Sequence, residues 1–371
     1  MRILIFTDWF TPAFRAGGPV RSIINLVSHL RASHEIFVFT SDRDLHSSAA
    51  FAGILADQWQ KQDNIHVYYY SPGKMTMGVV KKNITHVGPD RIYLNSMFSN
   101  MFIPLWLAYQ SGKVIIAPRG MLKASALAHK PFKKYIYCLF LRVLGVEKYV
   151  TFHAADSSEE FEIRKMFPMV RNVIAAPNIP TQVTSALLTV NKQKGQLRIL
   201  FSARLHPIKN LSFLLSILND VEGEVELEIA VIREDPAYFK LCQQMAENLP
   251  EIIKVSWYFD LEPVEVLKLM EKVHLFVLPT QGESFGHAIF EALSVGCPVL
   301  ISDQTPWRNL LSCKAGMDMP LADNLFLDAI NTFVKMDNSR WEEFRQGALQ
   351  KAKQYVDEMQ TEYYYDKLFT S

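Results

Sequence analysis

Residues Thr280 to Pro298 read TQGESFGHAIFEALSVGCP, and the six residues before them, from His274, read HLFVLP. The HLFVLP run is apolar enough for a buried parallel strand, while residues 288–295 carry Ala, Ile, Phe and Leu at helical spacing. The segment therefore predicts a strand, a short polar loop and a helix. At such a junction the N–H groups of Ser284, Phe285 and Gly286 lie at the helix N-terminus, where unpaired donors and the helix dipole hold an anion. Gly286 lets a ligand approach the backbone closely. Glu283 and Glu291, eight positions apart, only accept hydrogen bonds when ionised, so the hydroxyls of a sugar or a ribose suit them. The simpler reading places Glu283 favourably near a helix N-terminus and Glu291 on a solvated face.

Working outward, residues 177–196 (PNIPTQVTSALLTVNKQKGQ) break the hydrophobic rhythm, and a strand at 197–202 restarts it. Further strands are expected near 225–231, 252–257 and 299–302. Before the break, strands are expected at 2–7, 35–40, 65–70, 91–94, 113–117, 149–154 and 172–175. The first is followed by a loop containing Gly17-Gly18-Pro19 and an amphipathic helix. Strands alternating with helices argue for parallel sheets covered on both faces. The expected fold is α/β: two doubly wound, Rossmann-like parallel-sheet domains facing a central cleft, with ligands at the carboxyl ends of the strands. The expected domains are residues 1–180 and 181–355. Residues 356–371 either return to the first domain or form an ordinary C-terminal helix.

The length of 371 residues favours two domains of roughly 150 to 200 residues each. Nearly half of the residues are apolar, which rules against disorder. The net charge of +1 hides an asymmetry: residues 1–180 carry 21 Lys and Arg against 12 Asp and Glu, whereas 181–371 carry 18 against 26. A basic half suits an anionic partner or surface, and an acidic half argues against a nucleic-acid binder. Cys138, Cys242, Cys297 and Cys313 have no CxxC spacing, so neither structural zinc nor a disulfide framework is expected. No signal peptide is expected, because residues 1–7 enter a strand pattern directly. The longest lipophilic run, Tyr135 to Leu141, is far below the ~20 residues of a transmembrane helix.

The second chemistry-bearing stretch is FSARLHPIKNL, residues 201–211, just after the strand that restarts the alternation. Arg204 and Lys209 there can neutralise a diphosphate, Arg as a planar fork and Lys as a point charge. Asp42-Arg43-Asp44 has D-x-D spacing, but two carboxylates alone make a poor metal site, and no metal is expected. His153 reads as a satisfied, partly buried histidine.

The order GG near the first helix, S-A-R-L-x-x-x-K-N-L after the break and E-S-F-G-x-x-x-x-E near the end resembles the retaining glycosyltransferases of family four, which have the GT-B fold. The resemblance implies transfer of a hexose from a nucleoside diphosphate sugar to an acceptor hydroxyl, without a cofactor. It implies that Arg204 and Lys209 bind the donor diphosphate, and that Glu283 and the N–H groups of Ser284, Phe285 and Gly286 face the donor sugar. Glu291 would take the ribose hydroxyls, and Gly17 and Gly18 the phosphate from the opposite domain. Many members place a His after the middle strand of the first domain. Here the stretch reads Ile116-Ala-Pro-Arg119-Gly120, so Arg119 takes that place, where a guanidinium can stabilise phosphate charge or hold an anionic acceptor. Many members also have a glycine where this chain has Ile229-Ala-Val-Ile-Arg233.

Residues 119–148 carry Lys123, Lys130, Lys133, Lys134 and Arg142 against one acid, Glu147, interleaved with aromatic and aliphatic residues. Such a stretch suits a face laid against anionic headgroups, or equally a packed helix with a solvated basic edge. The expected partners are therefore the nucleotide-sugar donor, a glycan or lipid-linked acceptor and an anionic membrane surface, with no nucleic acid. The expected place is the cytoplasm, at the inner membrane face. A rival reading is a nucleotide-sugar-binding protein without catalysis.

Overall fold

The computed structural model describes residues 1–98, 112–127, 131–184 and 186–370. The chain divides into two compact units, residues 1–179 with 359–371, and residues 180–358.

In the first unit, strands β1 (Arg2–Thr7), β2 (Glu35–Ser41), β3 (Trp59–Gln62), β4 (Ile65–Tyr70), β5 (Arg91–Asn95), β6 (Val114–Ala117), β7 (Thr151–Ala154) and β8 (Asn172–Ala175) form one sheet in the order β3-β4-β2-β1-β5-β6-β7-β8. The sheet forms because its strands are apolar on both faces. Successive side chains of a strand point to opposite sides, so β1 feeds two cores at once. Ile3 and Ile5 pack with Ile23 and Leu26 of the helix Gly18–Leu30, whereas Leu4 and Phe6 join Val80 and Ile84 of the helix Met77–Val87. The C-terminal helix Thr361–Thr370 belongs to this unit and buries Tyr365, Leu368 and Phe369 in the Ile3 and Ile5 core.

Two strands lie outside the expected set. β3 runs antiparallel to β4 across a two-residue turn, Asp63-Asn64. Its sequence WQKQ is polar because it forms an edge that solvent reaches. In the second unit an unexpected last strand, β14 (Gly316–Met319), pairs with β13.

The second unit is wholly parallel: β9 (Gln196–Leu205), β10 (Glu224–Arg233), β11 (Ile253–Phe259), β12 (Leu275–Leu278), β13 (Val299–Ser302) and β14 lie in the order β11-β10-β9-β12-β13-β14. β12 and β13 are buried along their whole length, while the edge strand β11 alternates. The chain starts at β9 and builds outward in both directions, so its winding reverses between β9 and β12. Doubly wound sheets bind ligands at the carboxyl ends beside such a reversal.

The segment that enters the second unit is tied down despite its broken rhythm. The Thr184 N–H donates to the Ser294 carbonyl at 3.0 Å, and the Lys192 N–H donates to Asn338 Oδ1 at 2.9 Å. The buried Lys192 ammonium donates to the carbonyls of Val334 and Met336 and so caps the end of the helix Asp323–Lys335.

Candidate active site

In the second unit the loops after β9 and β12 are stitched together by main-chain bonds. The Gln281 N–H donates to the Ile208 carbonyl at 2.8 Å, and the Thr280 hydroxyl donates to the same oxygen at 3.2 Å. Lys209 closes a single helical turn, Pro207–Lys209, after β9. Glu283 is fixed from the other side, its N–H bonded to the Gln304 carbonyl at 3.0 Å. Two residues 74 apart in sequence are thereby set side by side, and the Lys209 ammonium forms a hydrogen-bonded ion pair with Glu283. Both side chains are largely covered, at 17% and 14% exposure.

The helix after this loop runs His287–Ser294, with Gly286 as its N-cap in the left-handed region at φ 79 and ψ 60. The helix thus begins after Ser284 and Phe285, which lie in the preceding loop, so its own first N–H groups belong to His287 and Ala288. This corrects the expected placement of Ser284 and Phe285 at the helix terminus. The physical reason is the turn at Gly286, where a Cβ would lie 2.8 Å from Ile289 Cδ1 and 3.5 Å from Trp307 Nε1. The Phe285 ring is buried beside Trp307, Phe290 and Tyr355, with its carbonyl accepting from Trp307 Nε1 at 2.7 Å. Glu291 is buried, not on a solvated face. Arg204, at the end of β9, donates to both oxygens of Glu234 at 3.0 and 3.2 Å. Both cations of this site therefore carry a carboxylate partner.

In the first unit Arg119 sits just past β6 with a left-handed backbone, φ 56. Its Nε donates to Asn95 Oδ1 at 3.0 Å, one terminal nitrogen to Asn178 Oδ1 and the other to the Tyr93 hydroxyl at 2.7 Å. Tyr93 in turn bonds His153 Nδ1 at 2.7 Å, and His153 Nε2 bonds the Ala176 carbonyl at 2.7 Å. A carbonyl only accepts, so Nε2 carries the proton, Nδ1 accepts from the phenol, and the phenol oxygen accepts from Arg119. Burial and the neighbouring Arg119 charge lower the His153 pKa to about 3, which keeps the ring neutral. Burial raises Tyr93 to about 12, so the phenol also stays neutral. Burial opposes the Arg119 charge, but Tyr93, Tyr365 and Glu159 outweigh it and raise its pKa. His153 is thus a satisfied core histidine.

The family model described as "Glycosyl transferases group 1" matches residues 189–312, which span β9, Lys209, β12, Glu283 and Glu291. Three solved structures share the whole fold. Sucrose-phosphate synthase from Thermosynechococcus elongatus is 14% identical with a TM-score of 0.72, covering 100% of this chain and 99% of that one. HepE from Anabaena in complex with UDP-glucose is 16% identical with a TM-score of 0.71, covering 100% of both. WaaG, a glycosyltransferase involved in lipopolysaccharide biosynthesis, is 13% identical with a TM-score of 0.64, covering 98% of both. This chain carries a glycosyl transferases group 1 domain in a GT-B fold. The family match spans residues 189–312 of the 371, and the fold is the one these structures share. No curated protein sequence matches it.

Elsewhere in the chain, Gly17 caps the helix Gly18–Leu30 with φ 66 and ψ −121, a backbone open to glycine, and Pro19 lies in its first turn. Asp42 pairs with Arg43 at 2.8 Å, and Asp44 accepts from the N–H groups of Phe14, Arg15 and Leu45. Asp44 thereby braces the segment that leads into the glycine loop. Among the described residues no group of three His, Cys, Asp or Glu is arranged to hold a metal, and no helix is long and apolar enough to cross a membrane. In the basic stretch the helix Pro131–Val143 exposes Phe132, Tyr135, Ile136, Leu139, Phe140 and Val143. Lys130 lies outside the described residues.

Sequence reasoning missed Tyr93, Asn95, Asn178 and Glu234. Asn95, Asn178 and Glu234 each sit at or just past a strand's carboxyl end, a position that their neighbours in sequence do not betray but that the strand boundaries could have indicated.

Proposed function

We propose that this glycosyltransferase moves a hexose from a nucleoside diphosphate sugar to an acceptor hydroxyl with retention at the anomeric carbon. The observation that carries the reading is the Lys209–Glu283 pair, a cation and a hydroxyl-accepting carboxylate fixed together at the carboxyl ends of β9 and β12. The second unit is the donor domain and the first the acceptor domain. Lys209 and Arg204 take the diphosphate charge, Glu283 the hexose hydroxyls and Glu291 the ribose. The N–H groups of Ser284, Phe285 and Gly286 face the donor, and Gly17 and Gly18 meet its phosphate. HepE, a structure of like fold, was solved with UDP-glucose, which supports a donor of that class.

In the reaction the bond between the anomeric carbon and the diphosphate oxygen breaks, and a bond from that carbon to the acceptor oxygen forms. The acceptor proton passes to the departing phosphate, so no side chain is needed as general base. Fixed cations aimed at the leaving diphosphate stabilise the charge that develops there. Slow hydrolysis of one nucleotide sugar, lost in Lys209→Ala and in Glu283→Ala, is the expected result. Binding without turnover across acceptors would instead favour a nucleotide-sugar-binding protein.

The acceptor belongs to a lipid-linked glycan or surface polysaccharide, presented at the cytoplasmic face of a membrane. The exposed aromatic and aliphatic side chains of Pro131–Val143, beside the exposed Lys133, Arg142 and Lys148, support this placement. Charge reversal at Lys133 and Arg142 should weaken binding to vesicles containing anionic lipid while leaving donor affinity unchanged. Equal vesicle binding by the variant would remove the membrane from the proposal.

A further inference from the structure

Arg119 in the first unit is held in the opposite way to Lys209 and Arg204 in the second. Lys209 and Arg204 are each bonded to a carboxylate. Arg119 is bonded to three neutral oxygens, those of Asn95, Asn178 and Tyr93, and among the described residues no Asp or Glu forms an ion pair with it. The carboxylate close enough to act on it is Glu159, whose oxygens accept the N–H groups of Gly120 and Ala155. Asn95 is itself held, donating to the Thr7 hydroxyl at 3.3 Å. His153, at the far end of the Arg119–Tyr93 chain, is kept neutral by its surroundings and adds no charge.

This arrangement suits an incoming anion better than it suits a merely structural arginine. A guanidinium has five N–H donors, and among the described residues three are used. A structural arginine that is largely covered is normally matched by a carboxylate, because an unpaired charge is costly to withdraw from water. Arg119 is instead aimed by neutral ligands that fix its plane without cancelling its charge. Its backbone lies in the left-handed region, which a non-glycine residue seldom occupies except where the surroundings impose it, as at ligand sites. It also stands at the carboxyl end of β6, the side of a parallel sheet where ligands bind.

We infer that Arg119 is an oxyanion site and that the acceptor of this glycosyltransferase carries a negative charge, as a phosphate ester or a carboxylate. Arg119 would bind that group through its two remaining N–H donors, in the planar geometry that guanidinium offers to such anions. The inference rests on the proposed function for the word acceptor. The anion site itself does not.

The test is isothermal titration of the full-length protein with three probes, glucose 6-phosphate, glucuronate and glucose, in saturating UDP so that the Lys209 site is occupied. The expected result is that at least one anionic probe binds about tenfold or more tighter than glucose, the order that a charge-assisted bidentate contact gives. Which probe wins separates a phosphate acceptor from a carboxylate one. Arg119→Gln should abolish the preference and Arg119→Lys restore part of it, with UDP affinity unchanged in both. Glucose binding as well as both anions, or an undiminished preference in folded Arg119→Gln, overturns the inference. The comparison of probes on the wild-type protein stands even if both variants fail to fold. If UDP does not bind but the Arg119-dependent preference persists, the donor reading fails and the anion site remains.

Discussion

Lowering the pH from 7 to 5 should cost each unit about 2 kcal/mol of stability through one histidine. His153 in the first unit and His274 in the second are both buried, and both have pKa values lowered to about 3 from 6.5, first by desolvation and then by nearby Arg119 or Arg198. His274 is fully engaged while neutral: one ring nitrogen accepts the Arg198 N–H at 3.0 Å, and the other bonds the Asn191 carbonyl at 3.2 Å. Because the folded pKa lies below the unfolded one, the unfolded chain binds more protons throughout the interval from about 6.5 to about 3. Stability is therefore complete above 6.5 and falls as the pH drops through that window. From pH 7 to pH 5 the unfolded imidazole gains most of its proton while the folded one gains almost none, which gives about 2 kcal/mol per site. Ordinary carboxylates titrate mainly below this range, so they contribute little. Guanidinium unfolding followed by circular dichroism at pH 7, 6 and 5 measures the slope, and His153→Gln should flatten it for the first unit while lowering stability at every pH. Ring-proton resonances of His153 and His274 that titrate near 6.5 would refute the reasoning, as would a stability that does not change between pH 7 and pH 5.

Three further outcomes follow from the packing. Gly286→Ala forces a Cβ against Ile289 at a left-handed backbone position and should destabilise the second unit by about 1–2 kcal/mol, with a larger loss of donor binding measured by titration. Ending the chain after Glu358 removes the buried Tyr365, Leu368 and Phe369, each worth about 1.5–3 kcal/mol, and should leave the first unit unfolded or molten by near-ultraviolet circular dichroism. Lys209→Met and Glu283→Gln should each lower the melting temperature, and the double variant should be more stable than the sum of the two predicts, while nucleotide-sugar turnover is lost in all three.

Much of the architecture is legible because parallel strands buried on both faces are written as unbroken apolar runs, such as ILIF in β1 and LFVL in β12. β3 and β14 escape notice for the converse reason. WQKQ is a polar edge, and GMDM has no pattern because Gly316 is selected by contact, a Cβ there lying 1.9 Å from the Val299 carbonyl oxygen. The start of the helix at His287 depends on a single left-handed residue, Gly286, whose conformation the apolar spacing of 288–295 does not encode. Arg119 stands out in sequence, yet its ligands Tyr93, Asn95 and Asn178 lie on or after β5 and β8, dispersed along the chain and assembled only by strand order. Thr184, Lys192 and Gly195, in the stretch without hydrophobic rhythm, are held by their main-chain N–H groups, which bond Ser294, Asn338 and Val334 within the second unit, and such bonds leave no trace in side-chain pattern.

The pairing of Lys209 with Glu283 bears on which ligands the donor site favours. A bare phosphate or diphosphate that takes Lys209 leaves Glu283 largely covered and without its cation, and the carboxylate then repels the phosphate at close range. A ligand that presents phosphate and hydroxyls together satisfies both halves of the broken pair, because the hydroxyls donate to the carboxylate as the phosphate accepts from the ammonium. Arg204, shared by both oxygens of Glu234, sets the same condition at the end of β9. Within the proposed function, discrimination between a nucleotide sugar and its nucleoside diphosphate product therefore resides in the carboxylates as much as in the cations. Loss of the sugar on transfer returns Glu283 to Lys209 and weakens the hold on the product. The same ion pair that makes the cation less attractive to phosphate alone thus favours release at the end of the reaction.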